Sequence, residues 1–234
     1  MKKKAVLIIL FVLPLVVYLF FASGVNSFAK LPTITQNLPD INPNWKTNTG
    51  ATVSLNDKIT ILGFSGLDVV DNRGNFFLLN QKIYNRNKDF TDFQIVFLAP
   101  LGTEEKTNDI LSRLGNLTDT KGYHFVYTTT EEIQDFYNKL NLEGKLNDSF
   151  STPNVFIVDK KLNLRGRKGQ SVKGKPEYRE GYNTAFAAEL HNELTDDLKI
   201  ILAEYRLALK KNNRKDAFRD KIKEQVESNS NNEK

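Results

Sequence analysis

The sequence predicts an α/β fold: a mixed sheet flanked by helices on both faces, preceded by an N-terminal transmembrane helix. Three observations carry this. Short β-branched apolar runs recur between segments of helical pattern. One apolar stripe at helical spacing closes the globular part. An uncharged stretch of membrane length stands behind three lysines. The composition agrees, because 40% apolar and 26% charged residues in a chain of 234 support a sizeable core and exclude global disorder.

Lys2, Lys3 and Lys4 precede residues 5–22, which carry no charge. As a helix this stretch would span about 27 Å, close to a bilayer core of about 30 Å. The lysines should stay in the cytoplasm and send the rest across, and Pro14 is tolerable in a membrane helix. A cleaved signal peptide is the alternative, with Ser27-Phe28-Ala29 as the cleavage site, although the apolar stretch exceeds the usual core of about 7–15 residues. Either way the domain lies outside the cytoplasm. The expected chain is a single-pass protein of the inner membrane with its domain on the periplasmic side. It divides into a signal-anchor over 1–24, a tether over 25–37, a domain over 38–211, and a basic helix end with disordered tail over 212–234.

Residues 30–57 are rich in Pro, Asn and Thr and lead into short extended pieces. Lys58–Phe64 then reads as a buried strand. Asp71–Tyr84 reads as a helix, with Asp71 as its N-cap. Phe93–Ala99 is a second strand, stopped by Pro100. Thr103–Leu114 is a helix with Glu104 and Glu105 in its first turn, where the dipole favours acids. Tyr123–Tyr127 is a third strand, and Thr130 caps a helix running to about Leu140. Asn154–Val158 is a fourth strand, and a turn at Lys160-Lys161 leads into Leu162–Gly166 as an antiparallel partner. Leu190, Leu194, Leu198, Ile201, Leu202, Tyr205 and Leu209 form the stripe of the closing helix. Beyond it, Arg206–Lys223 holds eight basic residues against two acids. That run is either a solvated helix end or a surface for anionic headgroups or an acidic partner.

The absence of cysteine is the most informative count. It excludes a disulfide scaffold, zinc knuckles, iron–sulfur clusters and thiol catalysis. The net charge of +5 arises at the N-terminus, since residues 1–30 hold four lysines and no acid. The remainder is balanced, which gives no case for nucleic-acid binding.

Four strings carry a family resemblance. Leu38-Pro39-Asp40-Ile41, followed by Val53-Ser54-Leu55-Asn56-Asp57-Lys58, is similar to "PDF…VSLSDLKGK". Ile61-Leu62-Gly63-Phe64-Ser65-Gly66 stands where "FGFTHC" is expected. Thr128-Thr129-Thr130-Glu131-Glu132-Ile133 resembles "LTGTPEQI". Ser151-Thr152-Pro153-Asn154 through Asp159 resembles "HSA..YLID". Together, over roughly residues 35–210, these resemble the SCO/SenC proteins of the thioredoxin superfamily. The resemblance implies a thioredoxin-like fold on an N-terminal anchor. In that family copper is bound by CxxxC and a distant His. Without gaps these positions fall on Leu67, Asp71 and Ser151. All three ligands are missing, and the only methionine is the initiator. Cu(I) favours soft thiolate, thioether and imidazole donors, so copper and thiol functions do not carry over.

No cofactor is therefore expected, and no catalytic residue. Asp68, Asp71 and Asp148 are weighed as oxygen ligands for a hard cation, against service in caps and solvated loops. His124, between Tyr123 and Phe125, is expected to be a satisfied structural histidine, and His191 a surface residue. Ser65 and Ser151 lack a base to activate them. Gly63, Gly66 and Gly74 form no phosphate loop, because no Lys-Ser/Thr follows. Thr152 and Pro153 are candidates for peptide docking by strand addition, where thioredoxin folds often carry a cis proline. Two functions stay open: a non-redox interaction module that assists a membrane complex such as a respiratory oxidase, or a ligand-binding, metal-binding or catalytic domain with a rebuilt polar site.

Overall fold

The computed structural model describes residues 10–18, 30–171 and 174–208. The strands are β1 (Thr33–Thr35), β2 (Lys46–Thr47), β3 (Ile59–Ser65), β4 (Phe93–Pro100), β5 (Tyr123–Thr128), β6 (Ser151–Val158), β7 (Leu164–Arg165), β8 (Arg167–Gln170), β9 (Pro176–Arg179) and β10 (Tyr182–Asn183). They form one large sheet in the order β1-β7-β6-β3-β4-β5-β2, with β10 also on β6, and a separate β8–β9 hairpin. β3, β4 and β5 are parallel, and the pairings outside them are antiparallel. This is the mixed sheet that the sequence predicts.

The helices follow the same logic. α1 (Arg73–Leu79) continues through a π-helical turn (Asn80–Tyr84) and a last turn (Asn85–Asn87). α2 is Glu104–Gly115 and α3 is Thr130–Lys139. α4 begins at Ala187–Glu189, passes through a π-helical turn (Leu190–Leu194) and stays helical over 195–208. Two caps lie one residue from the expected place. Asn72, not Asp71, stands at the N-cap position of α1, with no side-chain cap bond. Thr129, not Thr130, caps α3, accepting from the Glu132 amide at 3.2 Å.

The three parallel strands are buried on both sides, so their side chains alternate between two cores. Ile61, Ile95 and Phe125 face α1, α2 and α4, where Leu79, Ile110 and Leu198 meet them. Leu62, Leu98 and Val126 face α3 and the N-terminal segment, including Leu38, Ile41 and Leu55. The predicted stripe of the closing helix is buried at Leu194, Leu198, Ile201 and Leu202, while Leu209 lies outside the described residues.

Three expectations change. The packed domain starts at about residue 31, inside the expected tether: Leu31 is buried and Thr33 pairs with Arg165. The Leu162–Gly166 strand is reduced to Leu164–Arg165. The anchor and tail assignments fall mostly outside the described residues. Residues 10–18 are helical with exposed side chains, and no described helix is long and apolar enough to cross a membrane.

A buried ion pair ties Leu31 of the N-terminal segment, the β6–β7 turn and α4 together. Arg165 donates to Asp159 at 2.8 Å, to the Leu31 carbonyl at 2.9 Å and to Glu204 of α4 at 2.9 Å. Asp159 also accepts from the amides of Lys161 and Asn163, closing the β6–β7 turn. All three guanidinium nitrogens and both Asp159 carboxylate oxygens are thereby bonded, as burial of such charges demands.

Candidate functional site

The positions singled out in the sequence meet at the carboxyl ends of the parallel strands, the usual place for a site in an α/β sheet. β3 ends at Ser65, which pairs with Ser151 on β6. Gly66 then turns the chain with φ +65°, and a Cβ there would lie 2.4 Å from the Ser149 carbonyl oxygen. Only glycine fits both the conformation and the space. The close approach lets the Leu67 amide donate to that same carbonyl at 2.9 Å.

The hydroxyls and the Asp68 carboxylate at this end have local partners. The Ser149 hydroxyl donates to the Asp68 carboxylate. The Asp71 amide donates to the Asp68 carbonyl at 3.2 Å. Asn147 Oδ1 accepts from the amides of Ser149 and Ser151 and from the Ser151 hydroxyl at 3.1 Å. Ser65 is buried and donates to the Leu98 carbonyl at 3.3 Å. Asp68 and Asp71 share the loop between β3 and α1, and Asp148 sits in the facing loop. Among the described residues no three His, Cys, Asp or Glu side chains gather as a metal would require. A cavity beside Ser65, Asn72, Asn75 and Pro153 has about 20 Å³, room for about one water.

Beside the exposed Asp68, Asp71 and Asp148, the loops expose apolar side chains. Leu67 and Val70 are 41% and 43% exposed, and Leu101, in the adjacent loop after β4, is 45% exposed. Lys106 of α2 reaches the Leu67 carbonyl at 3.4 Å and joins the two loops. Val69 between them is fully buried and anchors the turn. Val70, Leu101 and Lys106 were not singled out in the sequence; their signal is proximity to the ends of β3 and β4.

The docking expectation for Thr152 and Pro153 is corrected in its geometry. No peptide bond among the described residues is cis, so the Thr152–Pro153 bond is trans. Thr152 pairs with Phe64 of β3. The Pro153 carbonyl accepts from the Thr184 amide at 2.9 Å and from the Thr184 hydroxyl at 2.6 Å. The edge that would take an extended peptide is covered by the chain's own β10 segment.

The histidines stand elsewhere. His191 is exposed on α4. His124 lies near the start of β5, at the opposite end of the sheet, and lines a cleft of about 480 Å³ with Lys58, Lys88 and Lys121. It is not the satisfied residue expected, since its Nδ1 is buried with no partner. Burial first, then the Lys58 charge, holds its imidazole below the usual value of 6.5.

Several solved structures are similar to this one. BsSco, a member of the Sco family of cytochrome c oxidase assembly proteins, matches with a TM-score of 0.50 at 11% identity, over 74% of this chain and 98% of its own. A putative protein disulfide isomerase from Bacteroides thetaiotaomicron matches with a TM-score of 0.44 at 16% identity, over 75% and 92%. Yeast Sco1 matches with a TM-score of 0.44 at 9% identity, over 70% and 98%. No family profile and no curated protein matches the sequence. The chain thus has a thioredoxin-like α/β fold with Sco proteins among its structural neighbours, and it carries neither thiol nor imidazole in the loops around Leu67 and Ser151.

Proposed function

We propose that this chain is a membrane-tethered, extracytoplasmic interaction module without redox or catalytic activity, which assists a membrane complex. The observation that carries this is the replacement of chemistry by apolar surface. Leu67 and Asp71 stand where the resemblance places two cysteines, Ser151 where it places the histidine, and Leu67, Val70 and Leu101 are exposed around them. Exposed apolar side chains beside a strand end suit protein contact better than small-molecule capture, and the nearby cavity beside Ser65 and Pro153, about 20 Å³, has room for about one water. The tether rests on Lys2–Lys4 and the uncharged run behind them. A respiratory oxidase is the complex favoured, by analogy with BsSco, whose family assembles cytochrome c oxidase.

Photo-crosslinking tests this. A crosslinker at Leu67 or Val70 should yield products with subunits of a membrane complex, and one at Leu117, exposed at the other end of the molecule, should not. Equal products from all three positions, or loss of oxidase assembly that a Leu67→Asp/Val70→Asp variant restores fully, would refute the proposal.

A further inference from the structure

The starts of the parallel strands form the other pole of the molecule. The cleft of about 480 Å³ before His124 continues, through the shared Phe90 and Thr91, into a second cavity of about 160 Å³ under α4. Together they are lined by Lys58, Lys88, Lys121, Lys160 and Arg206, against the acids Asp89, Asp92 and Asp119. Lys58 and Lys160 pair with Asp92 and Lys121 pairs with Asp119, so five cations against three acids leave an excess of two positive charges. Aromatic rings flank two of the cations. The Arg206 guanidinium lies 5.5 Å from the centre of the Phe90 ring, and the Lys160 ammonium 5.8 Å from that of Tyr205. Arg206 opens the run to Lys223 that holds eight basic residues and two acids.

The other end of the chain enters nearby. The Leu31 carbonyl is held by Arg165, and the same guanidinium holds Glu204, one residue before Tyr205. Only residues 23–30 separate Leu31 from the apolar stretch, a reach of at most about 28 Å when fully extended. β1 runs toward this pole from mid-sheet, as Thr33 pairs with Arg165 and the Leu38 amide donates to the Leu162 carbonyl. The reach of the connection therefore permits the pole to meet the bilayer, and the cations set the orientation.

We infer that this basic pole is a docking surface for anionic lipid headgroups, and that it holds the domain upright on the bilayer with the Leu67–Ser151 end pointing away. The inference rests on the tethered reading above and deepens it. Charge complementarity supplies the attraction, which is local because it falls off within a Debye length of about 8 Å. β3 runs from Ile59 at the basic pole to Ser65 at the other, six residue steps of about 3.3 Å each. The apolar end is thus displayed about 20 Å further from the membrane, toward a partner's extramembrane part.

The chain has no cysteine, so single labels are unambiguous. Asn116→Cys, exposed beside the basic pole, and Asp71→Cys, exposed at the other, are each given a nitroxide in the full chain. The chains are reconstituted into phosphatidylglycerol or phosphatidylcholine vesicles that carry a paramagnetic headgroup lipid. In phosphatidylglycerol the label at 116 should relax much faster than the label at 71. The difference should shrink in phosphatidylcholine and at high salt. Lys88→Gln with Lys121→Gln should weaken the attachment by about fivefold for each charge removed. Equal relaxation at both positions, or the same pattern in both lipids, would overturn the inference. Carbonate washing separates it from the tether. If washing strips the chain, the tether fails, while salt-sensitive binding of the released chain to phosphatidylglycerol, weakened in the double variant, still upholds the pole.

Discussion

Gly63→Ala is the sharpest test of how the sheet packs. Gly63 sits opposite Phe97 in the parallel β3–β4 ladder. A Cβ on it would lie 2.2 Å from Phe97 Cε1 and 2.5 Å from Cδ1. The ring has little room to retreat, because Phe125 stacks on it at 5.5 Å and Phe76 packs at 4.7 Å. Overpacking of this kind costs about 1–3 kcal/mol. Alanine recovers about 0.4–1 kcal/mol by restricting the unfolded chain. The net loss should be about 1–2 kcal/mol, a fall in Tm of roughly 2–8 °C for a domain of this size. Urea and thermal unfolding, followed by far-UV circular dichroism, measure it. Gly74→Ala is the control, since a Cβ there meets nothing within 4 Å and Gly74 lies inside α1. It should stabilise by about 0.5–1 kcal/mol. Phe97→Leu should partly rescue Gly63→Ala, leaving the double variant about 1 kcal/mol more stable than the two single losses predict. A Gly63→Ala protein as stable as the parent, or strict additivity with Phe97→Leu, would show that the packing argument is wrong.

Arg165→Met should destabilise by about 3–5 kcal/mol in urea unfolding, because it leaves the buried Asp159 without its cation; adding Asp159→Asn should return part of the loss. The His124 imidazole titrates lower in the folded than in the unfolded chain, so its contribution to stability is full above pH 6.5 and is lost as pH falls below that value. His124→Gln should flatten this part of the stability profile between pH 7 and 5, and an NMR titration of the native ring should give a midpoint below 6.5. Cu(I) titrated into the full chain under a competing chelator should not be retained, since Leu67, Asp71 and Ser151 offer no soft donor; stoichiometric retention would restore a metallochaperone role.

The central sheet was legible because both of its faces are covered. Burial on both sides gives continuous β-branched runs such as KITILGF and FQIVFLA, and few other structures want that pattern. The small strands were not legible. β1, β2 and β10 are two or three residues long and exist only through partners far along the chain, as Thr33 does through Arg165. β8 and β9 are polar and largely exposed, so no alternation marks them. The end of α1 was hidden for a different reason. A π-helical turn at Asn80–Tyr84 resets the spacing of buried residues, and Ile83 and Tyr84 then face the core as neighbours.

The site was legible in a negative sense and illegible in a positive one. A missing sulfur can be read from composition, so the loss of thiol and soft-metal chemistry needed no coordinates. What replaced that chemistry depended on long-range pairing. Thr184 covers the Pro153 carbonyl from 31 residues away, and that contact turns a candidate docking edge into an ordinary interior ladder. The same rule governs the other pole. Lys58, Lys88, Lys121, Lys160 and Arg206 are scattered over the sequence among acids, and their near-neutral balance conceals them. They converge only because parallel strands begin at one end of the sheet and α4 reaches it. A fold that keeps its strand order while losing its reactive side chains still separates its two ends by a fixed distance. In this chain that separation sets the exposed Leu67, Val70 and Leu101 at one end against a cluster of lysines at the other, about 20 Å away along β3.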